Sequence, residues 1–66
     1  MAKYVDFLYE DEVTGEQFFV ELKTEGKDIK QLKYEANLIA RDNFDKPKYI
    51  SIVDPEYAEM LGLDTY

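Results

Sequence analysis

The sequence contains no cysteine, no histidine and no tryptophan, and Ser51 is its only serine. Without cysteine the chain cannot form a disulfide or a thiolate metal site. Without histidine it lacks the commonest transition-metal ligand and the usual base for activating a serine. The three glycines, at positions 15, 26 and 62, stand too far apart to form a phosphate-binding loop. We therefore expect no catalytic residue and no cofactor, and we predict that the chain is not an enzyme.

Long apolar runs are also missing. A membrane-spanning helix needs about 20 consecutive apolar residues, and no stretch of this chain approaches that length. The first residues lead directly into a strand-like alternation that contains Asp6 and Glu10, which is unlike a signal peptide. We therefore expect no membrane partner and a cytoplasmic location, with which the absence of cysteine agrees.

Acidic residues are plentiful, but they do not form a recognisable metal motif. Two groupings stand out, residues 10–12 in a predicted turn and residues 42–45 at a predicted helix end. Neither has the alternating ligands and central glycine of an EF-hand loop. We interpret both groupings as solvated acids and expect no metal site.

Charge is distributed unevenly along the 66 residues, whose net charge is −7. Residues 1–26 carry −5, residues 27–48 carry +2 and residues 49–66 carry −4. An acidic chain repels phosphate backbones, so nucleic acid is an unfavourable partner. The basic segment nevertheless places Lys30, Lys33 and Arg41 along one flank of a predicted helix, and this candidate basic flank is either a solvated face or a contact for an acidic partner.

Hydrophobic periodicity predicts the element order ββαβα. Alternation over residues 4–10 and 17–24 predicts an antiparallel hairpin. Asp28 is a predicted helix N-cap, and the apolar spacing that follows predicts a helix to about Asn43. Residues 48–53 predict a third strand, and Asp54-Pro55 predicts a short last helix that stops at Gly62. We expect one small α+β domain with a mainly antiparallel sheet in order 2-1-3 and the main helix on one face.

Both sheet faces carry apolar residues, although a sheet covered on one side needs only one such face. The main helix is expected to cover the face that includes Val5, Phe7, Ile50 and Ile52. The second face is predicted to carry a smaller apolar set, which is our first candidate partner-binding surface: Tyr4, Leu8, Phe19 and Tyr49. Tyr34 and Leu38, one helical turn apart and away from the core stripe, form a second candidate surface.

Four occupants of the second face compete on sequence grounds. The last helix and the residues after it can fold across it. Two copies of the chain can pair there, another protein can bind it, or its aromatic side chains can stack on single-stranded nucleic acid. If Phe19 is an exposed contact, the substitution Phe19→Lys should abolish self-association or partner binding and leave the fold intact.

The sequence favours a small acidic protein-interaction module that acts through a protein partner or as a homodimer, with no small-molecule substrate evident. Its Lys-, Glu- and Tyr-rich composition favours an accessory protein of a bacterium or phage. An alternative is a modulator of nucleic-acid machinery. Such a protein would bind a strand through the basic flank or present its acids as a phosphate mimic.

Overall fold

The computed structural model describes residues 3–66 and has the predicted order of elements. The strands and helices are β1 (Tyr4–Asp11), β2 (Gln17–Lys23), α1 (Ile29–Asn43), β3 (Pro47–Val53) and α2 (Pro55–Leu61). The three strands form one antiparallel sheet in the order β2-β1-β3. The predicted α+β fold and strand order are therefore confirmed.

The β1–β2 hairpin is held at its turn by Asp11. This carboxylate accepts hydrogen bonds from the backbone N–H of Val13, the hydroxyl of Thr14 and the backbone N–H of Lys46, at 3.2–3.3 Å. Gly15 completes the turn with φ of 77°, a left-handed conformation that favours glycine. Asp11 is buried, so our interpretation of it as a solvated acid was wrong: it joins the hairpin turn to the start of β3.

Helix α1 begins where the sequence predicts. The Asp28 carboxylate accepts a hydrogen bond from the backbone N–H of Gln31 at 2.8 Å, which satisfies one of the free N–H groups at the helix start. The helix buries Leu32, Ala36 and Ala40 against the sheet. Small alanine side chains allow the helix to approach the strands closely, so the large rings of the core come mainly from the sheet.

The main core lies between α1 and one face of the sheet, and it is rich in aromatic rings. Tyr9 stacks on Phe18 with ring centroids 5.6 Å apart, and Phe18 stacks on Phe44 at 3.9 Å. Phe44 leaves the end of α1 and packs back onto the core. Such rings bury a large apolar area per residue, which is the main source of stability available to a short chain without disulfides.

Strand β3 differs from the prediction at its centre. The pairing with β1 shifts register between Leu8 and Tyr9, so that Leu8 faces Ser51 but Tyr9 faces Tyr49. A β-bulge of this kind inserts one extra residue and changes which side chains share a face. Tyr49 therefore packs into the core beneath α1, whereas Ile50 and Ile52 remain 43% and 39% exposed. The expected facing of Tyr49 was wrong for this reason. Ile52 lies opposite Phe7 and keeps its expected face, but α1 buries neither Ile52 nor Ile50.

Helix α2 lies on the opposite face of the sheet from α1 and ends at Gly62, whose φ is 66°. The residues after it run beside β2. The Phe19 N–H donates to the Asp64 carbonyl at 2.8 Å, and the Tyr66 N–H donates to the Phe19 carbonyl at 2.8 Å. Phe19 and Thr65 form a parallel bridge. Residues 64–66 thus cap the outer edge of β2, and we call them the capping segment.

Neither α1 nor α2, the two helices described, is long and apolar enough to cross a membrane.

Candidate partner-binding surfaces

Phe19, the leading residue of the first candidate surface, is fully buried. It lies opposite Leu8 in the hairpin, and the capping segment runs alongside it. Ala58 of α2 is buried and Leu63 is half-buried, whereas Tyr57, Met60 and Leu61 stay exposed. Of the four competing occupants, the last part of the chain covers Phe19, and the expectation that Phe19 is an exposed contact was wrong.

The structure separates the other residues of the first candidate surface. Tyr4 is 40% exposed and packs beside its cross-strand neighbour Lys23, whose ammonium lies 5.9 Å from the ring centroid. Leu8 is half-buried. Tyr49 lies on the other face, with its ring centroid 5.9 Å from that of Tyr9. These residues therefore form no continuous exposed patch.

The second candidate surface, Tyr34 and Leu38, remains on the outside of α1. The two side chains are 65% and 50% exposed. Tyr34 follows Lys30 by four residues and precedes Arg41 by seven, so helical spacing places it in the same strip as the candidate basic flank. The aromatic ring and the cationic side chains thus belong to one surface of the helix.

The basic flank faces the β3 side of the sheet. The Lys33 ammonium lies 4.7 Å from the centroid of the Tyr49 ring in β3, a cation–π contact. One turn further along α1, Asn37 accepts a hydrogen bond from the Tyr9 hydroxyl. Burial raises the pKa of Tyr9 to about 12, an effect that Tyr49 increases and Arg41 opposes. Lys33 and Arg41 are therefore both near the β1–β3 side of the core.

These basic residues have no acidic partners within the part of the chain that the structure describes. Across residues 3–66 the one ion pair is Lys27–Glu35, at 3.0 Å, on the opposite flank of α1. Lys30, Lys33 and Arg41 are all exposed. In a chain of net charge −7, three unpaired cations along one flank of α1 form a local field of opposite sign to the whole.

Strand β3 is the open edge of the sheet. Among residues 3–66 its outer edge pairs with no other strand, whereas the capping segment covers the outer edge of β2. An uncovered edge presents free N–H and C=O groups to another chain. Because Ile50 and Ile52 are both exposed on β3, this edge offers apolar contacts in addition to hydrogen bonds. The β3 edge and the basic flank together form the site that we call the edge surface.

Sequence reasoning found the basic flank but not its neighbour. The alternation in residues 48–53 gave no sign that the isoleucines would be exposed, because the bulge at Ile50 leaves no mark in the pattern and Ile52 keeps its predicted face. The strand order did carry a usable signal. In order 2-1-3 the third strand is necessarily an edge.

The fold and these surfaces define a small α+β domain whose three-stranded sheet has one capped and one open edge. No protein-family model, no curated protein and no solved structure matches the chain.

Proposed function

We propose that the chain is a non-enzymatic protein-interaction module whose edge surface binds an extended, acidic segment of another protein. The observation that carries this proposal is the juxtaposition of an unpaired edge strand, bearing exposed Ile50 and Ile52, with unpaired cationic side chains on α1. A bound strand would hydrogen-bond to the backbone of β3, and its acidic side chains would meet Lys30, Lys33 and Arg41.

The edge surface supplies both affinity and selectivity in this mode of binding. Main-chain hydrogen bonds stabilise an added strand irrespective of its sequence, and alternate side chains select the partner. Here the selective contacts are apolar at Ile50 and Ile52 and cationic along α1. Tyr34, between Lys30 and Arg41, adds an exposed aromatic ring of the type enriched in protein interfaces.

A second copy of the chain is a weaker candidate for this edge. Antiparallel pairing of two β3 strands about Ser51 would place Lys48 opposite Asp54 and Ile50 opposite Ile52, which is favourable. The same two-fold arrangement would bring two copies of α1 together along their basic flanks. Because these flanks contain no acid that pairs with them, like charges would oppose the association. An acidic partner avoids this repulsion.

The experiment is an NMR titration of the ¹⁵N-labelled protein with a short capped peptide of alternating Glu and Val, and with its Lys–Val counterpart. We expect the acidic peptide to shift amide signals of Lys48–Val53 and of the basic flank, and the basic peptide to have little effect. The double variant Lys30→Glu, Arg41→Glu should weaken binding about tenfold or more, since each lost charge contact contributes about 0.5–1 kcal/mol or more at an interface.

The matched control is the double variant Lys3→Glu, Lys23→Glu, which changes net charge by the same amount away from the edge surface. It should bind the acidic peptide nearly as well as the unmodified chain. If both double variants lost binding of the acidic peptide equally, net charge alone would explain the loss and the proposed site would be refuted. A dimer in light scattering that Ile52→Lys disrupts would assign the edge to a second copy. Salt-dependent retention on single-stranded DNA or RNA, lost in the α1 double variant, would assign the flank to nucleic acid.

A further inference from the structure

A cavity of about 420 Å³ lies between the sheet and α2, on the face away from α1. Three acids line it: Asp6 from β1, Glu21 from β2 and Glu59 from α2. Its other walls include the apolar side chains of Ala58 and Leu63 and the residue Thr65 of the capping segment. The walls of the cavity therefore contain both carboxylates and hydrocarbon.

Asp6 is the unusual member of this set because it is 2% exposed and one of its carboxylate oxygens, Oδ1, is buried without a hydrogen-bond partner. Its cross-strand neighbour in the hairpin is Glu21, another acid. Within residues 3–66, no Lys or Arg nitrogen lies within 4 Å of it. Burying a carboxylate without a donor or a cation costs several kcal/mol, on the order of the stability of a small domain.

Burial of Asp6, together with the charge of Glu21 and a hydrogen bond between the two carboxyls, raises the pKa of Asp6 from 3.8 to about 6. A hydrogen bond between two carboxyl groups requires a proton on one of them. At neutral pH that proton is largely absent, and two carboxylates then stand side by side without a donor. A cation that entered the cavity would offset the charges of Asp6 and Glu21 and relieve this repulsion.

We propose that the cavity is a binding site for an alkylammonium group, such as a free amine or the side chain of a lysine. The ammonium would donate hydrogen bonds to Asp6 and Glu21, and its alkyl chain would lie against Ala58 and Leu63. A volume of about 420 Å³ lies within the ordinary range of small-ligand pockets. This site goes beyond the proposed function, because it lies on the face of the sheet away from α1 and binds a different kind of partner.

The donor set favours an organic cation over a metal ion. The described residues hold no group of three or more acidic side chains placed to share one ion. Ca²⁺ takes six to eight oxygen ligands and Mg²⁺ takes six, whereas an ammonium is satisfied by about three acceptors. The hydrocarbon wall would contribute nothing to a bare ion but would bury part of an alkyl chain.

The test is an NMR titration at pH 7.5 with n-butylammonium, with n-butanol and CaCl₂ as separate arms. We expect saturable shifts in residues 58–65 and around Asp6 and Glu21 with the amine alone. Asp6→Asn should weaken binding about tenfold or more, because a hydrogen bond to a charged group is worth about 1.5–3 kcal/mol. Glu21→Gln should weaken it in the same direction, and Glu25→Gln, an exposed acid outside the cavity, should not.

Three results would overturn the proposal. The first is no saturable shift with n-butylammonium in a protein whose spectrum shows it to be folded. The second is equal binding by the Asp6→Asn variant, and the third is tighter binding of Ca²⁺ at the same residues. A free amine and a lysine side chain are distinguished by repeating the titration with Nα-acetyl-lysine amide: binding of n-butylammonium alone would identify a free amine. The edge-surface variants should bind n-butylammonium normally, so each proposal can be refuted independently of the other.

Discussion

Replacing Asp6 by Asn should stabilise the protein at neutral pH, which is unusual for a substitution at a fully buried position. Asn has nearly the same shape as Asp but carries no charge, and its amide can donate a hydrogen bond to Glu21. The variant therefore removes the side-by-side carboxylates of the unmodified chain while keeping the packing. The same variant should lose the proposed amine site, so that stability and binding would change in opposite directions.

The magnitude follows from the pKa of Asp6. Its value of about 6 in the folded protein lies above its ordinary value of 3.8, so the folded state binds the proton more tightly than the unfolded chain does. Asp6 therefore favours folding most below about pH 4, and this contribution is lost as pH rises to about 6. The difference corresponds to at most about 3 kcal/mol of unfolding free energy at pH 7.

The assay is urea denaturation from pH 4 to pH 8 for the unmodified chain and for the variants Asp6→Asn and Glu25→Gln. Glu25 is an exposed acid, so Glu25→Gln makes the same change in net charge without touching the cavity. We expect the difference in free energy of unfolding between Asp6→Asn and the unmodified chain to grow in favour of the variant from pH 4 to pH 6.5. A constant difference over that range, or an equal gain from Glu25→Gln, would refute this account of Asp6.

Three further substitutions test the packing described above, each by urea denaturation at pH 7. Phe19→Ala should cost about 3–5 kcal/mol because the ring is fully buried beside the capping segment, and a cost below about 1 kcal/mol would mean that this segment does not cover it. Asp11→Ala should cost about 1–3 kcal/mol by leaving the turn N–H groups unsatisfied, whereas Glu12→Ala in the same turn should cost little. Tyr9→Phe should cost about 0.5–1.5 kcal/mol through the lost bond to Asn37, and no cost would contradict that bond.

The element order and strand pairing could be predicted because each depends on local patterns. The alternation in β1 and β2, the cap at Asp28 and the glycine after α2 each have a physical reason that acts within a few residues. The strand order was predicted because a helical crossover returns β3 parallel to β2, and placing it beside β1 gives the more common antiparallel pairing. Nothing distant along the chain had to be known for these predictions.

The surfaces were harder to predict because they depend on register and on distant contacts. One bulge moved Tyr49 into the core and left Ile50 as the extra, exposed residue, although the sequence of β3 alternates regularly. The end of the chain was one of four possible occupants of the second sheet face, and hydrophobic periodicity could not distinguish among them. The pairing of Asp6 with Glu21 was within reach, since both acids interrupt apolar strands at positions that the hairpin places opposite each other.

The two edges of the sheet differ in a way that limits the size of any assembly. A sheet with two free edges can add chains at both sides without end, which is how fibrils grow. Here the capping segment hydrogen-bonds to the outer side of β2, so within residues 3–66 β3 is the strand whose outer edge stays open. Two copies joined at β3 would each carry the capping segment on their outer strand at Phe19 and Glu21. Edge-to-edge growth of identical copies would therefore stop at two.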